Sequence, residues 1–269
     1  MKDRQNLFIT IFLLLLITAC QESKVVEVEL PYDEYTVIYG ELPLDEAFKG
    51  VTISRSLPLN TVYDISDAEI TNAIAYLKLN GIDIIPLTYS SMGIYKPYNS
   101  IYPSAGDYYE LYIDIEGKNF YSKSVIPQLP SAKKIALNND ILDIEVFGNA
   151  DESYGALWAY VDENDIIVAQ ADDFHSIVDS KGDDQIVDIR TKSIPYDIKS
   201  SHHNNNLRVL LYAFGKNFGY YYNSKSHNSS IDNALTQGGS PIYTNISGDK
   251  VIGAFTGSSS SLLTITSFN

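Results

Sequence analysis

The feature that most constrains this chain is a two-residue alternation of apolar and polar side chains, cut at short intervals by turn residues. Successive side chains of a strand point to opposite faces, so such text describes strands with one buried face. The clearest stretch is residues 107–115, with Tyr109, Leu111, Ile113 and Ile115 on one face and Tyr108, Glu110, Tyr112 and Asp114 on the other. Glu116-Gly117-Lys118 predicts the turn, and residues 120–126 the return strand. A second hairpin is predicted over residues 73–88. Asn80-Gly81 suits a two-residue type I′ loop, in which both positions need positive φ. That loop sets Leu79 opposite Ile82, Leu77 opposite Ile84 and Ala75 opposite Pro86 on an apolar face. Lys78 then faces Asp83, and Tyr76 faces Ile85. A helix over residues 68–79 is the competing reading.

Further strand text covers residues 36–39 and 50–57, where Val51, Ile53 and Leu57 share a face and Arg55 falls at its edge. Leu142, Ile144 and Val146 alternate with acidic residues, and residues 155–161 carry the sole tryptophan, Trp158. Residues 207–214 are almost continuously apolar, as a central strand buried on both faces would be. Phe218, Tyr221 and Tyr222 have helical spacing and predict a short amphipathic helix, weakened by Gly219. Residues 251–256 and 262–266 read as closing strands, with a serine loop at 258–261. Pro127 and Pro130 cannot donate to a ladder, so they mark a boundary. The expected fold is mainly β: an immunoglobulin-like β-sandwich over residues 33–130, then a second β-rich domain with a short helix over 131–269.

The start of the chain carries an address. Lys2 and Arg4 precede an apolar run at residues 7–17, which is short for a membrane span and suits a signal peptide. It ends in Ile17-Thr18-Ala19-Cys20, the pattern of a bacterial lipobox. The expectation is a signal peptide at residues 1–19, a lipidated Cys20 and a tether over residues 20–32. Cys20 is the only cysteine, so there is neither an intramolecular disulfide nor a cysteine metal site. Several acyl chains together anchor a protein stably. Gln21, in place of an aspartate, favours the outer membrane. The formal net charge of −15 makes the chain a poor partner for nucleic acid.

The residues also carry a resemblance. Val51-Thr52-Ile53-Ser54-Arg55-Ser56, Ser66-Asp67-Ala68, Gly93-Ile94-Tyr95, Gly117-Lys118 and Ile126-Pro127 follow one another behind the lipobox. Ser240-Pro241-Ile242-Tyr243-Thr244-Asn245-Ile246 comes near the end, followed by Gly248, Gly253 and Phe255. In this order the chain resembles the Bacteroidota outer-membrane lipoprotein family known as domain of unknown function 4249, over roughly residues 25–265. Residues 150–200 match least. The resemblance implies an envelope-anchored, two-part β protein whose genes commonly lie beside those of TonB-dependent outer-membrane transporters. It implies no catalytic residues.

Other candidate sites are weak on chemical grounds. Nine carboxylates lie between Asp162 and Asp188: Asp162, Glu163, Asp165, Asp172, Asp173, Asp179, Asp183, Asp184 and Asp188. Asp179-Ser180-Lys181-Gly182-Asp183-Asp184 offers hard oxygen ligands for calcium but departs from the EF-hand spacing. His202 and His203 are adjacent and so point apart on an extended chain, while His175 and His227 stand alone. No Gly-x-Ser-x-Gly elbow is present. Tyr220-Tyr221-Tyr222, Tyr108-Tyr109 and Trp158 are candidates for an aromatic binding platform. No catalytic, cofactor-binding or metal residue is assigned; the one site residue is Cys20, for lipidation. The expected function is a non-enzymatic, lipid-anchored outer-membrane protein serving as accessory or ligand-capturing partner of such a transporter. The alternative is a glycan-binding or adhesion module, and the third reading is a hydrolase.

Overall fold

Alternation becomes strand wherever the sequence carries it. The computed structural model describes residues 32–58, 61–227 and 243–268. The expected signal peptide, Cys20 and the tether up to residue 31 lie outside the described residues. The chain divides into Met1–Asp33 and Glu34–Asn269, and every element named below lies in the second unit.

Seven strands come first: β1 (Thr36–Pro43), β2 (Val51–Arg55), β3 (Ile74–Leu79), β4 (Asp83–Ser91), β5 (Ile94–Pro97), β6 (Tyr108–Ile115) and β7 (Lys118–Val125). They pair in the order β1-β2-β5-β4-β3-β6-β7, each with its neighbour antiparallel. Their inward residues, among them Ile38, Ile53, Leu77, Tyr95, Leu111 and Phe120, fill one apolar cluster. Burying each such side chain contributes about 1.5–3 kcal/mol. The Tyr95 hydroxyl is buried but satisfied: it donates to Ile70 O at 2.9 Å and accepts from Ala73 N at 3.0 Å. A short helix α1 (Ile65–Ala68) links β2 to β3, and Asp64 caps it by accepting from Ser66 N at 2.9 Å.

The β6–β7 hairpin has the expected faces, with Glu116 and Gly117 both at positive φ between paired Ile115 and Lys118. The β3–β4 hairpin forms in preference to the helix, but one residue out of the expected register. Leu79 pairs with Asp83, Leu77 with Ile85 and Ala75 with Leu87. The loop therefore holds three residues, closed by Ile82 N donating to Leu79 O at 3.0 Å. Asn80 is held from outside the hairpin: its Nδ2 donates to Asp107 Oδ1 at 2.9 Å, and its Oδ1 accepts from Tyr108 N at 3.0 Å. These contacts with the approach to β6 override the local preference for a two-residue turn. Shifting a strand by one residue exchanges its faces. Ile85 and Leu87 thus turn inward, leaving Ile82 and Ile84 78% and 64% exposed.

The remaining strands are β8 (Ala132–Asn138), β9 (Ile141–Gly148), β10 (Glu152–Val161), β11 (Ile167–Gln170), β12 (Val178–Asp179), β13 (Gln185–Arg190), β14 (Asn206–Gly215), β15 (Val251–Thr264) and β16 (Ser267–Phe268). Two helices accompany them: α2 (Tyr196–Ser201), which the sequence reading did not include, and α3 (Phe218–His227), which begins at the expected Phe218. A small sheet, β13-β9-β8-β16, packs Leu142, Ile144 and Val187 against Tyr154, Trp158 and Leu211 of the large sheet, forming a second cluster. β14 is central, flanked by β10 and β15, as its apolar text predicts. The protein is thus mainly β, with a large sheet and a smaller one in a sandwich-like arrangement.

β15 corrects the expected serine loop. Residues 251–264 form one unbroken strand, parallel to β1 through Ser258 and antiparallel to β14 from Ser258 onward. The serines extend as strand because their hydroxyls find acceptors: Ser258 Oγ donates to Glu41 Oε1 at 2.6 Å, and Ser259 Oγ to Gln128 O at 2.7 Å. Residues 126–131 connect β7 to β8; the strands before them fill the first cluster, and most of those after them fill the second. β15 lends Val251 and Phe255 to the first cluster, and backbone hydrogen bonds continue through it to β14. The Asn245 side chain brackets Phe255, donating to its O at 2.7 Å and accepting from its N at 3.0 Å.

Candidate ligand-binding cleft

The alternation of β1 that buries Ile38 and Leu42 sends Tyr39 and Glu41 to the opposite face. On that same face β14 presents Tyr212 and Phe214, and β15 between them presents the small Ser258 and Ser260. Large residues on two strands and small ones on the strand between them leave a trough. It opens into cavities of about 470, 350 and 280 Å³, and Glu41 lines all three. Tyr39, Phe174, Tyr212, Tyr221 and Tyr222 line the largest.

Phe174 and α3 complete the aromatic wall. Phe174 lies over Gly155, where a Cβ would come within 2.8 Å of its ring. It meets Tyr212, Phe214 and Tyr222 edge to face at 5.3–5.7 Å between centroids, a geometry favoured by the ring quadrupoles. The start of α3 is fixed by Asp179, which accepts from Gly219 N at 3.2 Å and from Ser153 Oγ at 2.5 Å. Gly219 is therefore a packing requirement as well as a weak helix former: a Cβ there would sit 2.6 Å from Asp179 Oδ2. Asn223 Nδ2 adds a hydrogen bond to Ile177 O at 2.7 Å, and the Tyr222 hydroxyl donates to Asp173.

Glu41 is half-buried and preorganised. Ser258 donates to its Oε1, and the Tyr39 hydroxyl donates to its Oε2 at 3.3 Å. Among the described residues, no basic side chain forms an ion pair with it. Burial, then the Glu41 charge, raises the Tyr39 phenol well above its ordinary value. Tyr212 is raised by burial and by the charges of Glu41 and Glu46, and Tyr221 by burial. These phenols are neutral hydrogen-bond donors at physiological pH, unsuited to act as bases.

Of the aromatic candidates, Tyr221 and Tyr222 line the cleft, while Tyr220 is 58% exposed beside Tyr243. Trp158 is buried in the second cluster, edge to face with Tyr160, and presents no platform. Tyr109 is buried, and Tyr108 lies under Lys123 Nζ at 3.8 Å. Sequence reading missed Tyr39, Glu41, Phe174 and Tyr212. The outward positions of β1 and β14 were available signals, but their convergence depends on β15 lying between them.

The acidic stretch does not gather. Asp162 caps its own turn, Asp165 pairs with Arg208 at 3.4 Å, Asp173 pairs with Lys192 at 3.7 Å, and Asp183 accepts from Ala150 N at 2.8 Å. Among the described residues, no three of His, Cys, Asp and Glu form a metal-binding group. His202 stacks on Tyr160, and His203 Nδ1 lies 3.0 Å from Ser200 O. A polar cavity of about 550 Å³ on the small sheet is lined by charges of both signs, including an Arg190–Asp143 pair at 3.1 Å. Compared with known protein families and with curated proteins, the chain matches none.

Proposed function

We propose that this chain is a non-enzymatic envelope lipoprotein that captures a ligand in the cleft around Glu41 and works as the accessory partner of a TonB-dependent outer-membrane transporter. The observation that carries the capture reading is the junction of three cavities on one preorganised carboxylate, the largest of them walled by tyrosine and phenylalanine. Concave sites lined by aromatic residues with a few placed polar groups are the usual form of small-ligand sites. The lipobox ending at Cys20 supports the anchor, and the family resemblance supports the transporter. The antiparallel order β1-β2-β5-β4-β3-β6-β7 around one apolar cluster supports an immunoglobulin-like reading of residues 33–130.

A second reading, a glycan-binding or adhesion module, is favoured by an outward row on β3, β6 and β7. Tyr76 stacks on Tyr112 at 4.9 Å, and Tyr112 contacts Tyr121 at 5.0 Å. Pull-down of the tagged full chain from gently solubilised outer membranes, read by mass spectrometry, separates the two. Stoichiometric recovery of a transporter supports the first, and its absence under conditions that keep known transporter complexes together contradicts it.

A further inference from the structure

We infer that the cleft takes an organic cation, with an alkylammonium group seated against Glu41 between the rings of Tyr39, Tyr212 and Tyr221. This inference rests on the capture reading above and names its ligand class. Three observations combine. The carboxylate is half-buried at the meeting point of the cavities, yet its partners among the described residues, Ser258 and Tyr39, are neutral hydroxyls. They fix its position without cancelling its charge. The lining is rich in aromatic rings, whose negative faces attract a cation within about 6 Å of the centroid. The adjoining cavity adds Asp45 and Glu46, and the whole chain is strongly acidic, so anions are disfavoured. Lys49 lines the smallest cavity but makes no ion pair with Glu41. A neutral sugar would use the rings and the acceptor oxygens while leaving the carboxylate uncompensated. An alkylammonium ion uses both and supplies the missing charge.

The test compares choline with its uncharged carbon isostere dimethylbutanol, using the full chain in detergent and isothermal titration calorimetry. Choline is expected to bind at least about tenfold more tightly. Glu41→Gln should reduce choline to the level of the isostere, and Tyr221→Leu, on α3 and away from the β1–β15 ladder, should weaken it severalfold. Thermal unfolding of each variant confirms that it is folded. Equal binding of the two probes, no binding of choline, or choline binding indifferent to Glu41→Gln would overturn the inference. Binding of maltotriose in place of choline, lost on Tyr212→Ala, would overturn the cation assignment while leaving ligand capture intact. The transporter pull-down reads the accessory role independently of either probe.

Discussion

The Ser258 hydroxyl donates to Glu41 Oε1 at 2.6 Å, although the two residues lie 217 positions apart. The parallel pairing of β15 with β1 brings them together, and the same pairing builds the floor of the cleft. Ser258→Ala should therefore cost about 1.5 kcal/mol of stability, the order expected for a hydrogen bond to a charged group. Urea unfolding of the variant measures it. A change within error would mean that the Glu41 carboxylate is held by other groups.

Gly253 sits at φ 127, and a Cβ there would lie 1.8 Å from the Ile38 carbonyl oxygen. Gly253→Ala should separate β1 from β15 and cost at least about 3 kcal/mol. Gly117 also has positive φ, but a Cβ there would meet nothing within 4 Å. Gly117→Ala should cost only the backbone strain, about 1–2 kcal/mol. Chemical denaturation of both variants checks the contrast.

The observed β3–β4 register makes opposite demands on neighbouring isoleucine and leucine. Leu87→Ala removes a buried side chain and should cost about 2–5 kcal/mol. Ile84→Ala changes an exposed one and should stay within about 0.5 kcal/mol. In the two-residue-loop register Ile84 would face the core, and the order of the two effects would invert.

Alkali should unfold the protein early. Burial, then the hydrogen bond to Glu110, pushes Tyr121 up from 10.0 to about 12, and Tyr39, Tyr154 and Tyr222 are also raised. A phenol raised on folding keeps its proton in the native state where the unfolded chain has lost it. Its stabilising contribution is whole below pH 10 and is lost as pH rises through the folded value. Stability should fall between about pH 10 and 12, and ultraviolet titration should show a distinct subset of tyrosines ionising only with unfolding. Stability that is flat across that window would contradict these environments.

Local text was legible where local forces decide. The β6–β7 hairpin needs only alternation and a turn whose two residues tolerate positive φ, and β14 announces its central place by continuous apolar residues. The β3–β4 register was not legible, because Asn80 is held by Asp107 and Tyr108 on the far side of the loop. The run at 258–261 reads as loop by composition, but its hydroxyl partners come from β1 and the segment after β7. Of the cleft, only Tyr221 and Tyr222 stood out in the sequence. Tyr39, Glu41 and Tyr212 become neighbours through a ladder that joins the two ends of the chain.

The anchor is the claim on which the envelope address and the transporter partnership both rest. Among the described residues no helix is long and apolar enough to cross a membrane, and Cys20 is the sole cysteine. Labelled palmitate fed to cells expressing the wild type or Cys20→Ala tests it directly. The account predicts a labelled wild type in the outer-membrane fraction and an unlabelled variant that remains as precursor or mislocalises. Equal labelling of both, or none of either with the wild type still in that fraction, would contradict it.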